Sequence, residues 1–452
     1  MRIRTTKTTL NLSDIQEIIV AHSQDRAYKQ KLKRYYRGEH NILHKEGRAN
    51  NAPNNKIVAN YCEYISNMST GFFLGQPVAY SSISENEEEV DALLEVFKYN
   101  DESAHNVELA EEASITGDAY ELLYTDEDAQ IRFHSVPSEE VIVVCDSSLE
   151  EKILFAIRHY RVYDLNQTTY IEFVDVYDDR EFRHYSYNEG SMILLENAPH
   201  YFGDVPIVEY PNNRQHRGDF EGVITLVDAY NKSQSLTLDD MEDFTDAFLI
   251  LKGMGGTDVN DVKELRRNKV ISLDDGGNAE WLIKNINDTY VENVKTRLQK
   301  DIHKFSNIPD MSDESFTGNT SGVAIKYKLI GLEQIRSRKE REFKKGLQRR
   351  IELISNIRQL KSQTPIDFRD IEITFTANIP ANTEEQANIV KSLTGLVSQK
   401  RLLSLLPFVT DPAEEMEELR KEDEADKAAD NEQYGDMWTK NEGEQNGETK
   451  KS

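Results

Sequence analysis

PDMSDESFTGNTSG, residues 309–322, runs directly into VAIKYKLIGLEQIRSRKEREFKKGLQRRIELISNIRQLK, residues 323–361. The first segment sets only Met311 and Phe316 as large apolar side chains among Ser, Thr, Asn, Asp, Gly and Pro, which is loop chemistry. The second has no proline, and Phe343, Leu347, Ile351, Ile354 and Ile357 recur at steps of three and four. At 1.5 Å per residue it predicts a helix on the order of 60 Å long, more than an ordinary globular domain encloses.

Upstream, Phe220, Val223, Val227, Tyr230, Leu238, Met241, Phe244, Phe248 and Leu251 keep helical spacing until Gly253, Gly255 and Gly256 stop it. KVISL and NAEWLIK, joined through Asp274-Asp275-Gly276-Gly277, predict a hairpin within 269–284. That hairpin is too small to be stable alone, so neighbouring subunits are expected to complete its sheet, with Trp281 packed there or against its own hairpin. A helix follows at 291–305 and ends at Ile308-Pro309, because the residue before a proline is pushed out of the helical region.

Between Ala119 and residue 195 the period is two. AYELLYT, QIRFHSV, EVIVVC, ILFAIRHYRVY, TTYIEFVDVY, EFRHYS and MILLE alternate with polar turns, which predicts an antiparallel meander. Helices are expected at 13–35, with Ser13 and Gln16 as a capping box, and at 57–74. IEITFTANI reads as a strand, Glu384–Leu406 as helical, and the acidic stretch beyond Pro412 as partly disordered. The class is α+β.

The chain has 452 residues, 54 Lys and Arg against 81 Asp and Glu, and a net charge of -27. A duplex-DNA wrapper gains affinity by neutralising phosphates and should be basic, so that class is disfavoured. Two cysteines, Cys62 and Cys145, without a CxxC offer neither a disulfide framework nor a structural zinc site and suit a reducing compartment. The opening residues lack the apolar run of a signal peptide, and no stretch nears eighteen consecutive apolar residues, so neither export by that route nor membrane spanning is expected.

Catalytic motifs are missing from the sequence. No GxxxxGK[ST], GxSxG or HExxH occurs, and the glycines at 253, 255 and 256 follow a helix rather than a strand. His40 and His44, with Glu46 close by, have zinc-compatible spacing but no motif supplying a third ligand. Asp126 with Asp128, or Asp239 with Asp240, are the pairs a Mg²⁺-dependent DNA enzyme would use, although chance places many such pairs in so acidic a chain. No catalytic, cofactor or metal residue is assigned.

Residues 324–361 hold 12 basic against 4 acidic residues, a net of +8 inside an acidic chain. Arg336, Arg338, Lys339, Arg341, Lys344, Lys345, Arg349 and Arg350 form the cluster, and the first six are expected to meet a neighbouring subunit. DDMEDFTD, residues 239–246, is the acidic counterpart the sequence offers.

NNKIVANYCEYISNMSTGFFLGQPVAY (54–80), the helix, glycine-containing hairpin and helix at 220–306, and above all SNIPDMSDESFTGNTSGVAIKYKLIGLE (306–333) resemble the portal proteins of tailed double-stranded DNA bacteriophages, in the subgroup of long-tailed phages of Gram-positive hosts. The resemblance runs from about residue 30 to 400. It implies a homo-oligomeric ring, usually of twelve subunits, at one capsid vertex of the virion, assembled in the host cytoplasm. Through it a separate terminase drives the genome, and the capsid, scaffold and head-completion proteins dock around it.

Laid on this sequence, the family pattern makes 1–219 the N-terminal region and wing, 220–252 a stem helix, 253–290 the clip and 291–307 the second stem helix. It makes 308–321 the tunnel loop, 322–362 the long helix, 363–380 a wing strand, 381–415 the crown and 416–452 an acidic tail. Asp313, Glu314, Asn319, Thr320 and Ser321 then become weak, exchangeable contacts to duplex DNA passing without sequence specificity, and Arg266, Arg267 and Lys269 a docking patch for terminase. The chain is short for the family after residue 400, so a reduced crown is expected. The rivals are a Mg²⁺-dependent enzyme on phage DNA and an adaptor working through its acidic tail.

Overall fold

Segments of period two form strands here, but they do not form one sheet. In the computed structural model the elements run β1 (Arg2–Arg4), α1 (Leu12–Tyr36), α2 (Tyr61–Leu74), β2 (Ala79–Ser82), α3 (Glu87–Tyr99), α4 (Glu102–Thr116), β3 (Asp118–Thr125), β4 (Ile131–Val136), β5 (Val141–Cys145), β6 (Ile153–Tyr163), β7 (Tyr170–Tyr177), β8 (Glu181–Asn188), β9 (Ser191–Pro199), β10 (Ile207–Pro211), α5 (Ile224–Phe244), β11 (Phe248–Lys252), β12 (Asn278–Leu282), α6 (Asp288–Ser306), α7 (Gly322–Lys328), α8 (Ile330–Leu360), β13 (Ile371–Thr374) and α9 (Gln399–Leu403). The described residues are 1–47, 52–166, 168–188, 190–244, 248–252, 278–282, 288–312, 322–378 and 390–404, with 406, 409, 412 and 415–421. Residues 1–378 form one unit; α9 and a helical stretch at 415–421 belong to the second, 379–452.

The meander divides after β4. A turn of 3₁₀ helix, Ser138–Glu140, reorients the chain, so β3 and β4 join β10 in a three-stranded sheet while β5 to β9 continue in a six-stranded one. β1 pairs parallel to β5 at the edge of the larger sheet. β5 is VIVVC and all five residues are buried, because both its faces are covered. Ile142 and Val144 pack with Ile15 and Ile19 of α1; Val141, Val143 and Cys145 pack with Tyr120, Val136 and Ile207 of the smaller sheet. A run apolar at every position is what a strand sandwiched on both sides requires.

Several boundaries differ from the sequence expectation for local reasons. Asn11 and Asp14, not Ser13 and Gln16, cap α1: the Asn11 side-chain Oδ1 accepts from the Asp14 N–H at 3.0 Å and the Asp14 carboxylate accepts from the Asn11 N–H at 3.1 Å. Gln16 donates to the Gly190 carbonyl instead. α2 starts at 61, and the residues before it are extended. α5 ends at Phe244, and Phe248 and Leu251 lie in β11, paired antiparallel with β12 so that Leu249 faces Trp281 in register. A β-rich FLILK run thus imitates helical spacing, and the partner of NAEWL is this strand; KVISL lies outside the described residues. The long helix is interrupted once, at Leu329, and α8 alone has 31 residues, about 46 Å.

α8 is the spine of the larger core. Phe343, Leu347, Ile351 and Ile354 pack with Phe73 of α2, Leu109 of α4, Leu123 and Phe133 of the smaller sheet, and Ile371 and Ile373 of β13. Gly346 lets Tyr210 of β10 lie against the helix; a Cβ there would sit 2.4 Å from the ring.

Within this apolar layer lies Arg350, fully buried. Its Nη2 is 2.8 Å from Glu121 Oε1, its Nε donates to Glu121 Oε2 at 3.0 Å, and its Nη1 reaches Asn106 Oδ1 at 2.9 Å and Glu102 at 3.4 Å. The guanidinium stacks 4.6 Å from the Phe133 centroid, while Tyr210 and His105 also bond Glu121. Burial favours the neutral Glu121, but Arg350 and His105 hold its carboxyl below the usual range. Removing one member leaves a buried charge without its counterion. Arg350→Met is expected to lose about 3–5 kcal/mol in urea unfolding, and adding Glu121→Gln to recover part of that loss.

Candidate functional site

Three side chains on one face of α5, spaced by four, hold the extended segment before α2. Asn231 Oδ1 accepts from the Ala59 N–H at 2.8 Å, Ser235 Oγ from the Ile57 N–H at 2.9 Å, and Asp239 Oδ1 from the Asn55 N–H at 2.6 Å. Four helical residues rise about 6 Å and two extended residues about 6.6 Å, so acceptors and donors stay in step. Lys45 neutralises Asp239. Burial acts against the Asp239 charge, but Lys45 and Asn55 keep its carboxyl below the normal value. His40 completes the arrangement: Nδ1 meets Asn231 at 2.8 Å, Nε2 meets the Tyr35 carbonyl at 2.9 Å, and the ring stacks on Tyr35.

The segment leads into α2, and α2 grips residues 309 and 311 at the start of the 309–322 segment. Tyr64 donates its hydroxyl to the Pro309 carbonyl at 3.0 Å and accepts from the Met311 N–H at 3.2 Å. From α6, His303 Nδ1 donates to the Ile308 carbonyl at 3.0 Å and Gln299 donates to Asp310 at 3.1 Å. Asp310 folds back to accept from the Ser312 N–H and hydroxyl. Burial opposes its charge, yet those two bonds and His303 hold its carboxyl low. Tyr61, Tyr64, Asp310 and Met311 line a cleft of about 300 Å³ at this point.

The candidate metal residues have other duties. His40 is a satisfied core histidine and Asp239 an acceptor for backbone, so neither is free for a metal. Asp126 closes its own turn, taking the N–H groups of Asp128 and Gln130. Asp118, Glu209 and His216 do converge, within 4.8 Å. Cations already fill that cluster: His216 Nδ1 is 2.5 Å from Asp118, Lys29 Nζ is 3.5 Å from Asp118, and Arg2 Nε is 3.5 Å from Glu209. The bond to Asp118 outweighs burial and raises the His216 pKa, which favours the protonated ring over the form whose lone pair a metal would need. The donor set does not suit a metal ion. It works as a latch: at Gly117, φ +91°, a Cβ would meet the His216 carbonyl oxygen at 2.3 Å, so the loop carrying His216 closes tightly on the start of β3.

A family model described as phage portal protein, SPP1 Gp6-like, matches residues 15–429. The chain belongs to the phage portal protein family. Curated relatives agree: it is 27% identical over 444 residues to the portal protein of Clostridium phage phiCD119, covering 92% of this chain and 96% of that one. It is 25% identical over 395 residues to the portal protein of Bacillus phage SPP1, covering 82% and 76%. Two solved structures are similar at TM-scores of 0.45 and 0.46 and 10% and 11% identity: the neck of a native GTA particle computed with C12 symmetry (76% of this chain, 89% of that one) and the neck of an empty GTA particle computed with C6 symmetry (77% and 90%).

For this portal chain the sequence-predicted residues divide by place. Asp313, Glu314, Asn319, Thr320 and Ser321, and Arg266, Arg267 and Lys269, lie outside the described residues. On α8, Lys339 is buried and pairs with Asp219 of the same subunit at 2.5 Å. Arg336 bonds Glu333 and Glu340 along its own helix, and Lys344 reaches the Ile373 carbonyl at 3.4 Å. Arg338, Arg341 and Lys345 remain exposed. Among the described residues no helix is long and apolar enough to cross a membrane. The acceptor face at 231, 235 and 239 was hidden in the sequence, because Asn, Ser and Asp at helical spacing resemble an ordinary polar face.

Ser235→Ala leaves the half-buried Ile57 N–H without its acceptor and is expected to cost about 1 kcal/mol in thermal unfolding. His216 has a raised folded pKa, so its contribution is complete below its unfolded value of about 6.5 and fades as pH climbs through the folded value. His216→Gln should therefore destabilise by about 1 kcal/mol near pH 6 and by clearly less near pH 9, measured by urea titration at both.

Proposed function

We propose that this chain is the subunit of a closed ring, usually of twelve copies, that forms the channel for packaging and ejecting the genome at one capsid vertex. It acts as a structural conduit and docking platform rather than an enzyme. The match over residues 15–429 carries this reading. The described flanks of the 309–322 segment fit it: Tyr64 and His303 hold residues 308 and 309, and α7 begins at Gly322.

A duplex driven by a motor must slide, and deep electrostatic wells along the wall would stall it. A chain of net charge -27 supplies a wall that repels phosphates and keeps that barrier low. In this reading Asp313, Glu314, Asn319, Thr320 and Ser321 touch the sugar-phosphate backbone weakly, with no base readout. Residues 220–252 and 291–307 act as stem and 253–290 as clip, where Arg266, Arg267 and Lys269 meet the terminase large subunit and later the head-completion proteins. Residues 1–219 and 363–380 act as the wing facing the capsid and scaffold, 381–415 as the crown. The protein then resides in the virion after assembly in the host cytoplasm.

Deleting residues 312–320 is expected to leave ring formation intact and to reduce packaged or retained DNA, read by particle mass and nuclease-protected genome. Loss of folding on that deletion would make the segment a structural part and overturn its assigned role.

A further inference from the structure

On α8 the exposed positions Gln334, Arg338, Arg341 and Lys345 fall at steps of four, three and four, a single stripe opposite the buried Leu332, Phe343, Leu347 and Ile351. Among the described residues Lys345 pairs with Glu342, on its own helix. Arg338 and Arg341 make no ion pair among the described residues. At the N-terminal end of the stripe, Tyr327 and Ile330 are exposed.

α3 presents the opposite charge. Leu93 and Phe97 are buried, while Glu87, Asp91 and Glu95, at steps of four, face solvent with Glu85 and Glu88 close by. None of the five makes an ion pair among the described residues, and Ile83 and Leu94 are exposed beside them. Acids in a first helical turn are favoured by the helix dipole, which accounts for Glu87 and Glu88 but not for Asp91 and Glu95.

We infer that these stripes are the two halves of one subunit contact: α8 of one copy lies along α3 of the next. The inference deepens the ring reading and rests on it. Copies of a chain with net charge -27 repel one another, so they approach best through a surface that is not acidic, and Arg338, Arg341 and Lys345 supply it. The lengths agree, Glu87 to Glu95 spanning about 12 Å and Arg338 to Lys345 about 10 Å. Within a subunit the two faces form no ion pair with each other. Because the faces differ, the contact is heterologous and propagates head to tail until rotation closes it. Like-charge repulsion disfavours α3 on α3 and α8 on α8, which fixes the order of assembly.

The test is a charge exchange in the full chain. Glu87→Lys, Asp91→Lys and Glu95→Lys form one variant; Arg338→Glu, Arg341→Glu and Lys345→Glu form the other; the third carries all six. Native mass spectrometry and sedimentation at about physiological salt read the assembly, and circular dichroism melts read folding. Each triple variant is expected to stay monomeric where the parent chain makes rings, and the sixfold exchange to restore rings. Ring formation by either triple variant, or failure of the folded sixfold variant to assemble, overturns the contact. Should reversal disturb folding, Arg338→Gln with Arg341→Gln carries the test: the protein concentration for half-assembly rises at least tenfold, and an unchanged value overturns it. A parent chain that never forms rings defeats the ring reading itself; rings indifferent to all these changes defeat only the contact.

Discussion

The structure depends on one buried cation. Arg350 sits at the meeting point of α4, β3, β10 and α8, held by carboxylates 229 and 248 residues away in sequence. A guanidinium in an apolar layer is costly unless paired, and here a hydrogen bond and a close ion pair to Glu121, a contact with Glu102, the Asn106 amide and a Phe133 face surround it. Such a site demands one relative placement of four elements, because a shifted helix would strand the charge. The neighbouring apolar residues supply the burial; Arg350 selects the arrangement.

The same helix shows why a count of charges misleads. The net of +8 over residues 324–361 reads as one basic surface, yet the cluster on α8 has three fates. Arg350 and Lys339 are inside, Arg336, Lys344 and Arg349 are half-buried and occupied by Glu333, Glu340, the Ile373 carbonyl, Asp204 and Glu352, and Arg338, Arg341 and Lys345 face outward. Position on the helical wheel separates them, since Lys339, Phe343, Leu347 and Arg350 share the inward stripe with the aliphatic residues.

Much of the fold was legible where one period persisted. The strands from 118 to 199, the long α8, and the helix ending before Pro309 all follow from local pattern. What was not legible depended on partners distant in sequence. The division of the meander into two sheets follows from β10 and β1 arriving from elsewhere. α3 and α4 lack a stripe wide enough to stand out, since α4 buries Glu102, His105, Asn106 and Ser114 beside its aliphatic residues. Of the site, the family was readable from 306–333, whereas the acceptor face of α5 and the grip of Tyr64 on Pro309 needed coordinates.

The acceptors at 231, 235 and 239 behave like the teeth of a rack engaging the backbone at 59, 57 and 55. Because all three mesh in one register, α5 cannot creep along the segment by part of a step; it either keeps every tooth or disengages them together. Displacing α5 by part of a step would therefore break three hydrogen bonds at once to the segment that leads into α2, the helix whose Tyr64 holds residues 309 and 311.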